Sequence, residues 1–278
     1  MLTFFAIALI LLSMSAHELG HAWAMRERGV AIKTISLLGI PWLIPITWRL
    51  PIKSARFPGT EWVMHPLMVG AYVHPVEGAL EKASSRDNIY IVSMGPLVNV
   101  MIGLVFMELS RAGIAIDREG LTARTYVEGI GMLGSVALLW ICRAWVARFI
   151  CPIVSVLLSI VIIATFFLMG PFQAFVGPVG LVDIIHQHSA LTAEVQARAV
   201  AYGVDYFPIW SMFSIVGFVS LAIGVSNLLP ILPFDGGHIA RAFIPERWWK
   251  RYERISVTLV VFLVLLAVTS DVLRLWYT

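Results

Sequence analysis

The chain has 278 residues, of which 59% are hydrophobic and only 13% charged, with a formal net charge of +3. A soluble domain carries about twice that charged fraction, so a water-soluble globular protein is excluded and an integral membrane protein is expected. The basic residues flank apolar runs instead of clustering on one segment, which leaves nucleic acid out of the expected partners.

A transmembrane helix needs ~20 residues to cross ~30 Å of hydrocarbon. Six runs approach that length, at 1–25, 89–108, 129–148, 149–170, 206–232 and 255–277. The third qualifies only if Arg143 and Arg148 snorkel from its end. The first has no Lys or Arg before its apolar core, so it is expected to remain as a helix and not to be cut as a signal peptide. Between the first two runs, 30–80 is apolar and rich in Pro and β-formers. It reads either as short strands separated by turns or as a surface loop anchored by Trp42, Trp48 and Trp62. With the N-terminus outside, the inner loops hold fifteen Lys and Arg, and the outer loops only Arg111, Arg118, Arg124 and Arg198. The positive-inside rule selects that orientation, and six spans preserve it to the end. Cys142 and Cys151 have no zinc-type or redox spacing and read as packing residues.

The first run contains MSAHELGHAWAM, residues 14–25. His17 and His21 stand i, i+4 on one helix face with Glu18 beside them, the H-E-x-x-H arrangement in which two imidazoles hold Zn²⁺ and a carboxylate handles its water. At this chain's own His and Glu frequencies, about 0.007 such matches are expected by chance. Glu18 precedes Arg26 by eight residues, about 12 Å along the axis, so it lies within the hydrocarbon, where an ionisable group is costly and usually functional. Hydrogen bonding to neighbouring helices is the plainer explanation for one intramembrane His; three polar groups at metal-site spacing ask for a common one.

A catalytic zinc needs a third protein ligand. Asp235, in NLLPILPFDGGHIA at 227–240, follows Pro230 and Pro233, which interrupt the helix, and precedes Gly236 and Gly237, which free the backbone behind the carboxylate. Alone, this would be an ordinary helix-ending loop; beside a zinc motif lacking its third ligand, it is the expected completion. His238 is the competing ligand, or a hydrogen-bonding partner of Asp235. His65 and His74 precede prolines in the β-like segment, and His186 and His188 resemble an adventitious surface pair.

In this order, AHELGHAWAMRERGV, GTEWVMHPLMVGAYVHP, SMGPLVNVMIG, FVGPVGLVDI and NLLPILPFDGGH resemble the signature segments of the site-2 protease family of intramembrane zinc metalloproteases. The likeness is greatest to its bacterial regulator-of-sigma-E protease branch and covers most of the chain outside 111–169. The resemblance implies one zinc per chain on His17, His21 and Asp235, Glu18 as the catalytic carboxylate, and Asn227 near bound substrate. It implies transmembrane-protein substrates, regulated intramembrane proteolysis in the bacterial cytoplasmic membrane, and an active site toward the cytoplasm. It also selects the β reading of 30–80, as a membrane re-entrant segment. The branch's PDZ domain has only a short linker at 108–128 in its place, and no long tail for a nucleotide-sensing module is expected after the last span.

The expected fold is therefore one all-α polytopic domain, 1–278, with about six transmembrane helices and a small re-entrant β segment after the first. The lipid bilayer is its solvent. A silent zinc-binding scaffold would be expected to lose Glu18 or a ligand, and a metal transporter would need polar groups through the whole bilayer.

Overall fold

The computed structural model describes residues 2–39, 46–65, 70–119, 122–169 and 208–277. Helix α1 (Leu2–Glu27) leads into four strands, β1 (Ile32–Leu38), β2 (Trp48–Leu50), β3 (Glu61–Met64) and β4 (Tyr72–Pro75). Then come α2 (Ser85–Glu119), α3 (Ala123–Ile141), α4 (Cys151–Met169), α5 (Pro208–Ser226), the short α6 (Asp235–Arg241) and α7 (Glu246–Tyr277). A π-helical turn, Val146–Ile150, joins Arg143–Trp145 to α4. Among the described residues, four helical stretches are long and apolar enough to cross a membrane: Phe5–Glu27, Ser85–Gly113, Arg143–Val161 and Glu246–Thr269. Gly129–Ile141 and Met212–Ser226 are shorter apolar stretches.

Helix α1 turns its polar residues inward. Ser13, Ser15, His17 and His21 are buried, while Phe5, Ile7 and Leu12 are exposed. In a bilayer this inversion is the stable choice, because lipid is as apolar as Leu and polar atoms find partners only in protein. The inward face lies on α2, which also crosses α5 at backbone contact. A Cβ on Gly103 would meet Gly217 O at 2.8 Å, and one on Gly217 would meet Gly103 O at 2.9 Å. Small residues at such a crossing allow the close van der Waals packing that drives helix association in lipid.

The four strands form a single sheet of order β2-β3-β1-β4. The β1–β3 pair is parallel, and the β1–β4 and β2–β3 pairs are antiparallel. Its centre is fixed by Ile35 and Trp62, which pack with Ala22 of α1. Among the described residues, strand β4 pairs only with β1 and so forms an edge of the sheet, next to α1.

At the C-terminal end of α1, Arg143 and Arg148 do not simply snorkel. Arg143 donates to Glu27 at 2.6 Å, and Arg148 donates to Asp87 at 3.3 Å, with Arg28 at 3.5 Å from the same carboxylate. Glu27 also accepts from the Tyr90 hydroxyl and from Trp23 Nε1. These pairs fasten the start of the α4 segment to the ends of α1 and α2. Arg143→Ala should therefore lower unfolding stability in detergent by about 1.5–3 kcal/mol, the range for a hydrogen bond to a charged group. Arg49→Ala, which removes an exposed 3.9 Å pair with Glu61, should change it by less than about 0.5 kcal/mol. Thermal and denaturant unfolding of the two variants checks the contrast.

Candidate metal centre

His17 and His21, one turn apart on α1, present their Nε2 atoms toward the same point, 3.2 Å from each other. Asp235 reaches that point from α6: its Oδ2 lies 3.0 Å from His17 Nε2 and 3.3 Å from His21 Nε2. The loop before α6 makes this approach possible. Gly236 N–H donates to Asn227 O at 2.7 Å, and a Cβ on Gly236 would stand 2.2 Å from Leu228 O. Gly237 is as constrained, with Ile231 C at 2.7 Å from the position its Cβ would take. The two glycines let the start of α6 fold against the backbone that follows α5. Tyr252 of α7 holds the same loop from its other side, donating to Pro230 O at 2.8 Å.

The tautomer of His21 follows from its partner. A backbone carbonyl can only accept, so the 2.8 Å contact with Ile91 O means that Nδ1 carries the proton. In neutral His21, Nε2 is then a bare lone pair facing a carboxylate oxygen and a second imidazole nitrogen. A carboxylate and a directed imidazole lone pair at such short range repel one another unless a proton or a metal cation lies among them. Ligands ~2.0–2.1 Å from a tetrahedral centre stand about 3.3 Å apart, close to the separations found here. The donor set, two nitrogens and one oxygen, suits zinc.

Among the described residues, His17, His21 and Asp235 are the one group of three or more metal-ligating side chains. Glu18 lies beside it, partly buried, with the Val73 N–H of β4 facing its carboxylate. His238, one turn along α6, is exposed and outside the group. His65 is buried but occupied, with Nδ1 3.0 Å from Ile46 O and Nε2 3.4 Å from the Tyr72 hydroxyl. His74 is exposed on β4, and His186 and His188 lie outside the described residues. Asn227 joins the site region through its backbone carbonyl, at the turn where α5 ends.

A model of peptidase family M50 matches residues 4–268, nearly the whole chain. The chain belongs to peptidase family M50. It is a membrane metallopeptidase of the site-2 protease type, and its apolar helices are those of an integral membrane protein. A comparison with curated proteins finds no match. M50 members are zinc metalloproteases, and the geometry of His17, His21 and Asp235 fits that ion.

Two contributors to the centre escaped the sequence reading. The Ile91 carbonyl is backbone and has no residue-type signature. Tyr252 sits in a Trp- and Arg-rich stretch that resembles an interfacial anchor, which conceals its bond to Pro230 O. If Asp235 is the third ligand, Asp235→Ala should lose most of its zinc while His238→Ala keeps it. Metal analysis of the purified variants decides, and full occupancy in Asp235→Ala rejects the assignment.

Proposed function

We propose that this chain is an intramembrane zinc endopeptidase that hydrolyses peptide bonds in or near transmembrane segments of other membrane proteins, as a step of regulated intramembrane proteolysis. His17, His21 and Asp235 hold the ion, Glu18 is the acid–base carboxylate, and Asn227 lies along bound substrate. The observation that carries this reading is the convergence of three metal-ligating atoms within 3.0–3.3 Å, with an uncoordinated glutamate at the next residue.

Zinc held by His17, His21 and Asp235 would supply Lewis acidity and a water acidic enough to be deprotonated near neutral pH. Glu18 takes a proton from the attacking water and passes it to the leaving amine. His21 Nδ1–H stays on Ile91 O, keeping Nε2 directed at the ion throughout. A helical substrate hides its carbonyl carbons in its own hydrogen bonds, so it must unwind locally before attack. The free edge of β4, whose Val73 N–H faces Glu18, is suited to hold the unwound strand by β-addition.

Glu18→Gln keeps nearly the same volume and leaves the three ligands untouched. It should retain zinc and accumulate normally, while cleavage of a transmembrane substrate falls at least ~10²-fold, the lower range for lost acid–base catalysis. Near wild-type cleavage rejects the mechanism. Joint loss of zinc and fold favours a structural role for the triplet.

The proposed topology has six spans with both termini outside and the site on the cytoplasmic side of a bacterial cytoplasmic membrane. Its support is the excess of Lys and Arg in the inner loops. With Cys142 and Cys151 replaced by Ala, single cysteines at Ala83 and Ser84 should label from inside and those at Thr122 and Thr192 from outside. Outer labelling at Ala83 overturns the topology.

A further inference from the structure

We infer that Gly95 of α2 is a positioning residue that keeps the ion's place open, a role resting on the zinc-site reading above. A Cβ built on Gly95 would lie 2.2 Å from His21 Nε2 and 2.6 Å from His17 Nε2. Those lengths approach a zinc–nitrogen bond, ~2.0–2.1 Å, so a side chain here would stand in the region an ion shared by both imidazoles must occupy. No other glycine among the described residues directs its missing Cβ at either of these nitrogens.

The imidazoles cannot easily withdraw. His21 is tied through Nδ1 to Ile91 O, the carbonyl one turn before Gly95 on the same helix. One turn of α2 thus holds His21 by its far nitrogen and leaves space at its near one. Both rings are buried, and Asp235 closes on them from α6.

Intrinsic preference points the other way, which makes the inference testable. Ala is a better helix former than Gly, so at a neutral interior position Gly95→Ala would strengthen α2. The expected result is a folded full-length protein whose zinc affinity falls ~10-fold or more, the scale of loss for disturbed supporting contacts of a metal site. Zinc content of the purified variants and their unfolding in detergent are measured together. Gly103→Ala is the control: its Cβ would clash as severely, 2.5 Å from Leu221 Cγ and 2.8 Å from Gly217 O, but at the α2–α5 crossing. It should lose stability without losing zinc affinity in the folded fraction.

Full zinc occupancy in folded Gly95→Ala overturns the inference, as does equal zinc loss in Gly95→Ala and Gly103→Ala. If Gly95→Ala does not fold, it is placed in a His17→Ala, His21→Ala background. Recovery of folding there supports a clash that runs through the imidazoles, and continued misfolding assigns Gly95 to helix packing and overturns the role. Wild type and His21→Ala test the underlying site separately: zinc-free wild type, or His21→Ala that binds zinc as wild type does, brings down the metal reading itself.

Discussion

The structure depends on how one apolar helix disposes of its polar groups. Ser13, Ser15, His17 and His21 of α1 are buried in a segment that lies in hydrocarbon, and each has found a partner on a different neighbour. Ser13 meets Ser220 of α5 at 2.7 Å. Ser15 donates to Leu37 O of β1. His17 faces Asp235 of α6, and His21 donates to Ile91 O of α2. An unsatisfied polar group at this depth costs several kcal/mol, so the stripe specifies which elements surround α1 and which face each one shows. Chemistry and architecture here are the same constraint: the residues that would hold an ion are the residues that gather the fold.

This explains what was legible beforehand. His17, Glu18 and His21 stand out because ionisable side chains are rare in lipid and their spacing matches a helix turn. Asp235 stands out because prolines and glycines mark a chain forced into close approach. The expected topology, with both segments on one side of the bilayer, allows these two segments, more than 200 residues apart, to meet; that they do meet is a tertiary fact. The residues of 30–80 left strands and a surface loop both open, the family resemblance selected strands, and the strand order was not legible at all. The parallel β1–β3 pairing depends on Ile35 and Trp62 meeting Ala22, a tertiary contact with no local pattern. Arg143 and Arg148 read as residues at a span end; their carboxylate partners, Glu27 and Asp87, come from distant segments.

The supporting contacts of the centre were hidden for a further physical reason. In a soluble metalloenzyme a ligating histidine often hands its second proton to a carboxylate. Within a membrane that solution buries another charge, whose desolvation must then be offset by further partners. A helical carbonyl offers a second lone pair while keeping its bond within the helix, and it carries no net charge. His21 uses such a carbonyl at Ile91, and a backbone group likewise faces Glu18, the Val73 N–H of β4. Backbone support is the low-cost solution in this solvent, and it is silent in a sequence because any residue can supply it. Only where the backbone must come unusually near does it leave a residue-type signature, as glycines do at 95, 236 and 237. A short apolar segment such as SMGPLVNVMIG therefore carries as much of the site as the histidine motif does, through the side chain that one of its residues lacks.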